Sequence, residues 1–435
     1  MTSAGEIETR VVVKAFWRIL PLLLATYLAS YLNRVNIGFA SGMMHDLRLT
    51  ASAYGLGAGL FFIGYFVFEI PSNLALVKFG ARRWLSRIMF SWGLLSMAMA
   101  LASGVTSFMI LRFLVGVAEA GFFPGVILYL TTWFPAVWRA RMTAAFMVAI
   151  PISLALGGPL SNWIMQATKG IWGLKPWQWL FVLEGLPTVL LSLALLIFLP
   201  DRPEEAAFLS PEEKAWLKSK LAAEGHSIRT RHNIAGLRAL KDHRVLALAF
   251  IYFANITTNL GIAFFLPQII KGMGANDVQA NTISAIPFVF GIAGVVMFGW
   301  LADRMQARRQ SFVVATLVIS AVGLAGAGWL GPSYTAVALI ALANFGIYGL
   351  KGPFWPLPSM FLTGTAAASG IALINSVGNL GGFVGPFILG TVKDATHSYS
   401  MALYVLAGFA AVASLISLLL HTPSTIPGEP QQNAV

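Results

Sequence analysis

The feature that most limits what this chain can become is a recurring run of apolar residues, each near the length of a bilayer crossing. Twelve runs can be marked, at about 17–40, 54–77, 84–103, 106–133, 140–167, 178–199, 244–271, 278–303, 310–330, 333–361, 366–393 and 399–420. A helix needs about 20 residues to cross hydrocarbon. In that medium each backbone N–H and C=O must be paired within its own segment, so each run is predicted to be helical. Composition agrees: 57% of residues are hydrophobic and 11% charged, with a mean hydropathy of +0.75, against roughly 25% charged in a soluble domain. An all-α polytopic membrane protein of twelve transmembrane helices is expected. The N-terminus has no short apolar core followed by a small-residue cleavage site, so the first run is expected to be retained. The absence of cysteine excludes disulfides and thiol chemistry.

The net charge of +12 raises the question of a nucleic-acid partner, and its placement answers it. With a cytoplasmic N-terminus, 21 of the 29 lysines and arginines fall in inner segments and five in outer ones (Arg48, Lys169, Lys175, Lys271, Lys393). Three lie inside spans. This bias predicts both termini in the cytoplasm of a multi-pass membrane protein. The partners expected are therefore the lipid bilayer and a small solute, with no nucleic acid, and the protein is expected to be a monomer.

The longest polar stretch, 200–243, divides the spans six and six. A shift of 226 residues lays Arg82-Arg83 on Arg308-Arg309 and Asn33 on Asn259, and a shift of 227 lays Pro159 on Pro386. Two parallel, pseudo-symmetric six-helix bundles are expected, 1–199 and 244–435 with a short cytoplasmic tail, joined by a cytoplasmic linker over 200–243. This is the major facilitator layout, in which substrate is held at the midplane between repeats. Within the linker, "SPEEKAWLKSKL" places Ser210 as a cap, Pro211 at the first helical position and Glu213 to complete a capping box. An amphipathic helix is predicted there, with Trp216 and Leu217 packing on the bundle or the membrane interface.

"GWLADRMQARR" after the eighth span resembles the major facilitator signature between paired spans, with Asp303 and Arg304 expected to bridge cytoplasmic helix ends as a conformational gate. The first-half counterpart, "LVKFGARRW", keeps the basic residues and lacks the aspartate. More narrowly, "YLNRVNIGFA", "EIPSNLALVKFGARRW", "RFLVGVAEAGFFPGVILYLTTWFP", "LPDRPEEA" and "GPFWPLPSMFLTGTAAASGIALINSVGNLGGFVGP" together resemble the anion:cation symporter family of bacterial organic-acid permeases. The resemblance runs from about residue 17 to 420. It implies proton-coupled uptake of an organic carboxylate by alternating access, with the proton as coupling ion and no other cofactor. In such proteins an aspartate commonly stands where this chain has Asn33, so Asn33 is a candidate member of the coupling site that cannot itself titrate.

Inside the spans, Arg34, Arg112 and Lys351 stand against Glu69, Glu119 and Glu184. Ionisable residues at membrane depth are functional candidates by default. Glu69 and Glu184 lie toward span ends and are read as structural. Arg112 and Glu119 are seven residues apart, two turns on one face, which predicts a pair whose protonation at Glu119 frees Arg112. Arg34 has no acid on its own span. With Arg112 it is expected to form a landing site for a substrate carboxylate, which a guanidinium can grip with two hydrogen bonds; snorkelling to the headgroups is the alternative.

The second half carries neutral groups instead. Leu260 and Phe345 stand at the positions equivalent to Arg34 and Glu119, while Asn255 and Asn259, and Asn375 and Asn379, lie one turn apart and suit substrate hydroxyls or interhelical hydrogen bonds. "KGPFWPLP" breaks regular helix and places Lys351, a possible substrate or charge-pair group, and Trp355 near the membrane centre. The predicted binding set is Tyr31, Arg34, Tyr65, Asn259, Trp355, Asn375 and Asn379, and the coupling set is Glu119, Arg112 and Asn33. Histidines are scattered and form no metal cluster, and no nucleophile constellation or nucleotide-binding glycine loop points to an enzyme. A tartrate-like hydroxy acid or sugar acid is the first substrate reading, an aromatic carboxylate the second. A transporter-like sensor that binds a carboxylate without moving it is the alternative from another class.

Overall fold

The computed structural model describes residues 3–40, 42–229, 242–360 and 364–420. Linker residues 230–241, including His232, and the tail from His421 lie outside the described residues, as does 361–363 of the proline-rich motif. The described residues contain no strand and twelve helical stretches long and apolar enough to cross a membrane, one for each run read from the sequence.

The chain forms two compact units, Met1–Arg48 with Leu60–Thr230, and Leu49–Gly59 with Arg231–Val435. The first six crossings are made by α1 (Ser3–Phe39), α2 (Ala51–Phe79), α3 (Ala81–Ala98), α4 (Val105–Glu119), α5 (Phe122–Thr131), α6 (Ala136–Met147), α7 (Ala149–Ala167) and α8 (Pro176–Phe198), and α9 (Pro211–Arg229) follows. The second unit adds α10 (His243–Lys271), α11 (Asp277–Ile283), α12 (Ala285–Arg304), α13 (Arg309–Leu330), α14 (Tyr334–Gly349), α15 (Lys351–Phe354), α16 (Gly364–Thr396) and α17 (Tyr399–Leu419). In the first unit α8 packs along α3, α1 and α7; in the second α10 packs along α16, and α13 along α17 and α14.

Polarity is arranged as lipid demands. Arg112 and Glu119 are each 1% exposed, whereas Phe198 and Leu419 are 71% and 77% exposed, the reverse of the distribution expected in water.

Three crossings expected as continuous helices are each built from two, and the fourth matters most. Its run stops at Glu119 because Ala120 turns extended (ψ 132°) and Gly121 takes φ +83°. A Cβ on Gly121 would lie 2.5 Å from Ser72 Oγ, so both the backbone angle and the space require glycine. The break leaves Glu119 as the last residue of α4 instead of mid-helix.

The aspartate missing from "LVKFGARRW" is supplied from farther along the chain. Asp201, in the segment after α8, accepts a hydrogen bond from the Arg82 backbone N–H at 2.7 Å and caps α3. Gly80, at φ +87°, lets the chain turn tightly against that carboxylate. In the second unit the start of α2 is capped by Asp394 of α16, which accepts from the backbone N–H groups of Ala51 (3.1 Å) and Ser52 (2.7 Å).

The linker helix α9 begins with the expected capping box: Glu213 N–H donates to Ser210 Oγ at 3.2 Å and Ser210 N–H to the Glu213 carboxylate at 2.9 Å. Glu213 also receives both hydrogen bonds of the Lys14 ammonium, at 2.8 and 3.0 Å, which ties α9 to α1. Burial pushes the Glu213 carboxyl up, but hydrogen bonds from Lys14 and Ser210 outweigh it and hold it below the ordinary carboxylate range. Leu217 is fully buried and Trp216 partly so.

Candidate functional site

Arg34 lies on α1 one turn after Ser30, so the two side chains share a face. Both reach Glu119 at the end of α4: the Arg34 guanidinium forms an ion pair with Glu119 Oε1 through Nη2, and Ser30 Oγ donates to the same oxygen at 3.1 Å. The pair is shut in by rings. The Arg34 guanidinium carbon is 5.3, 5.2 and 5.6 Å from the ring centres of Tyr31, Phe61 and Tyr65, distances at which ring faces attract a cation. Tyr27 stacks on Phe146 and meets Tyr31 edge-on behind this wall.

Close helix approach makes the arrangement possible. At Gly116 of α4 the Phe61 carbonyl oxygen lies 2.0 Å from where a Cβ would sit, so only glycine lets α2 and α4 come this near. Arg112, one turn before Gly116, has its guanidinium carbon 5.1 Å from the centre of the Phe61 ring. Two cations thus lie close to Phe61.

The described partners of Glu119 come from α1, whereas sequence spacing had pointed to Arg112 on its own helix. The break at Ala120–Gly121 places Glu119 at the end of α4. Two polar atoms of the cluster have no hydrogen-bond partner: Arg34 Nε and Glu119 Oε2, both buried. One guanidinium N–H and one carboxylate oxygen are therefore left unmatched in a buried setting.

Asn33 faces away from this cluster. Its Nδ2 donates to the carbonyls of Ala29 (2.9 Å) and Glu184 (3.1 Å) and to Thr188 Oγ1 (2.8 Å), and its Oδ1 accepts from Ser96 Oγ (2.6 Å). The amide ties α1, α3 and α8 together.

In the second unit, Asn259 Oδ1 accepts from Tyr348 OH at 3.1 Å, and the Lys351 ammonium lies 4.6 Å from the centre of the same Tyr348 ring. Trp355 sits edge-on to Tyr252 at 4.9 Å and meets Phe354 at 5.4 Å. Asn255 donates to the Ile347 carbonyl at 2.9 Å, an interhelical use. Asn375 and Asn379 lie partly buried on α16. Asp303 and Arg304 end α12 in exposed positions; Arg304 covers the Trp300 ring of its own helix at 5.1 Å, and no ion pair of either is found among the described residues.

Sequence reasoning passed over three residues. Ser30 was detectable by its four-residue spacing from Arg34. Phe61 and Tyr348 carried no signal, since an aromatic residue in an apolar run is ordinary until the fold sets a cation on its face. Among the described residues no cluster of histidine, aspartate and glutamate is arranged to hold a metal.

Twelve helical stretches among the described residues are long and apolar enough to cross a membrane, and the first unit buries an ion pair among its own. The Major Facilitator Superfamily profile matches residues 22–386, and the chain belongs to that superfamily. It is 46% identical over 418 residues to a "Putative tartrate transporter" of Agrobacterium vitis, covering 96% of both chains. It is 41% identical to the "Putative metabolite transport protein NicT" of Pseudomonas putida, covering 94% of this chain and 93% of that one. These relatives are consistent with the anion:cation symporter type of permease. Among solved structures, the fold is shared with a bacterial homologue of the lysosomal transporter Spinster (TM-score 0.73, 16% identity, covering 95% and 96% of the two chains). It is shared also with the Escherichia coli xylose transporter XylE (TM-score 0.69, 16% identity, covering 92% and 96%). The protein is a multi-pass membrane transporter of a small molecule and not an enzyme.

Proposed function

We propose that the chain carries a small organic carboxylate into a bacterial cell across the inner membrane, driven by protons and working by alternating access with both termini in the cytoplasm. The observation that carries this reading is the Arg34–Glu119 ion pair with its unmatched guanidinium N–H. An arginine fork can hold two carboxylates or share itself between them. While Glu119 is ionised it competes with a substrate carboxylate for Arg34. When Glu119 takes a proton it stops competing, and the fork turns to the substrate. Proton and anion are then bound together, which is the requirement for symport.

Tyr31 and Tyr65 line the fork and are assigned the carbon face of the substrate. Arg112, also beside Phe61, adds a second positive charge to the local field. In the second unit, Asn259, Trp355, Asn375 and Asn379, with Lys351, are the candidate recognition groups. The relatives named for tartrate favour a hydroxy acid. The ring wall of Tyr31, Phe61 and Tyr65 supports an aromatic carboxylate as the second reading.

The test is uptake of labelled tartrate into liposomes containing the purified protein, with and without an inward proton gradient, in competition with a panel of carboxylates. Accumulation above equilibrium only when the gradient is imposed is the expected result. Binding without accumulation would identify a sensor and end the transport reading.

A further inference from the structure

The mechanism above uses one buried carboxyl of the first unit and leaves another idle. Glu184, nine residues into α8, is 6% exposed. Its Oε1 accepts one hydrogen bond, from Ser161 Oγ of α7 at 3.1 Å. Its Oε2 is buried and has no hydrogen-bond partner. Beside it lies the Asn36 amide of α1, 1% exposed and within hydrogen-bonding reach of the Glu184 carboxyl, though neither of its polar atoms makes a hydrogen bond of ordinary geometry. A buried carboxyl and a buried amide thus lie together without well-formed hydrogen bonds in a membrane-embedded bundle, where each unmatched polar atom is costly.

The charges around Glu184 do not explain it. The elements packed against α8 are α1, α3, α7 and the short turn Met99–Leu101. Helix α7 and that turn carry no ionisable residue. On α1 the nearest in sequence are Arg34, engaged with Glu119, and Tyr31 and Tyr27, which line the Arg34 wall. Farther down α1 stand Glu6, Glu8, Arg10, Lys14 and Arg18, at least four turns away along the helix. On α3, Gly185 is level with Met97, so Arg82, Arg83 and Arg87 lie ten or more residues off, about 15 Å or more along the axis. Ahead of α8, Lys175 is paired with Asp46 at 2.6 Å. No ion pair of Glu184 is found among the described residues. Asn33 makes the contrast plain, since both polar atoms of its side chain have partners.

A carboxyl that only braced helices would be replaceable by apolar packing, and leaving it charged without a cation is strongly unfavourable. We propose that Glu184 is a second proton carrier of the transport cycle, binding the proton on Oε2 and donating it in a hydrogen bond to the Asn36 amide oxygen. The proton is taken from water on the side of uptake and returned to water on the other side, and nothing else is consumed. Bound in this way, it satisfies the orphaned oxygen of each partner at once. The inference rests on the proton-coupled reading above, and predicts that each substrate moves with one more proton than Glu119 alone provides.

The experiment uses the full-length protein in liposomes, with tartrate as probe, and reads the number of protons per substrate from the membrane potential at which net flux reverses. Glu184→Gln is expected to lower that number by one, and to reduce gradient-driven accumulation at least tenfold relative to tartrate exchange. Glu184→Asp should restore the wild-type number. An unchanged number in a Glu184→Gln variant that melts like wild type overturns the proposal while leaving Glu119 coupling intact. Wild-type accumulation indifferent to the gradient would overturn both readings. If Glu184→Gln does not fold, infrared difference spectra of the wild type and Glu184→Asp decide the matter: a protonated-carboxyl carbonyl band that shifts with the substitution supports the proposal, and its absence defeats it.

Discussion

The two units share a helix plan and differ in what they bury. In the first, Arg34 and Glu119 form an ion pair among rings, with Arg112 also 5.1 Å from the centre of the Phe61 ring. In the second, the corresponding depth holds Asn259, Tyr348 and Lys351, with one neutral hydrogen bond and one ammonium over a ring. A paired charge in low dielectric changes its energy by several kcal/mol when one partner gains a proton, whereas a neutral hydrogen bond is worth about 1 kcal/mol. Duplication of a fold therefore does not duplicate its chemistry. On the proposed reading, switching belongs to the first unit and recognition to the second.

The sharpest way to break this comparison is to remove one member of the pair. Arg34→Ala leaves Glu119 buried without a cation, a loss of about 3–5 kcal/mol, and is expected to abolish uptake and lower the melting temperature of the purified protein. Uptake at more than a tenth of the wild-type rate would show that the pair is not central. Glu119→Gln is expected to end gradient-driven accumulation while substrate still protects the protein thermally.

A smaller effect is expected from Arg34→Lys, which keeps the charge and loses the planar fork. Substrate affinity should fall about tenfold to a hundredfold, in line with the loss of a charge-assisted hydrogen bond of about 1.5–3 kcal/mol. Isothermal titration would measure it, and near-normal affinity would argue for a point charge in place of a two-point grip.

The second unit should respond more weakly still. Tyr348→Phe removes the hydrogen bond to Asn259 and keeps the ring under Lys351, a change of about 1 kcal/mol. The half-saturating substrate concentration should rise about fivefold, and the pH profile of uptake should not move. A shifted profile would place coupling chemistry in the second unit and erase the contrast.

The smallest effect lies at the linker. Because the folded Glu213 carboxyl sits below its ordinary range, its stabilisation is complete above the ordinary carboxylate value and is lost as pH falls through the folded one. Lys14 is partly exposed, so the contribution is at most about 1 kcal/mol. Hydrogen-exchange protection along α9, expressed relative to the intrinsic rate at each pH, should fall by up to about fivefold on acidification from pH 7 to below 4 and lose that dependence in Glu213→Gln. Equal acid sensitivity in the variant would exclude this contact as its source.

Much of the molecule was legible from residues alone because hydrocarbon imposes simple rules. The twelve crossings, the all-helical class and the α9 capping box follow from length, backbone pairing and local spacing, which need no distant partner. The importance of Arg34 and Glu119 was legible too, since a charge inside an apolar run stands out against its surroundings. Their joining was not. Periodicity along one helix points from Glu119 to Arg112 and cannot show that Glu119 also meets Arg34, on a helix 85 residues earlier in the chain. The same holds for Asp201 capping α3 and for Glu184 meeting Ser161 and Asn36. Spacing along one helix determines which side chains share a face; which face meets which is decided by packing between helices, where glycine contacts set separations that no local pattern records.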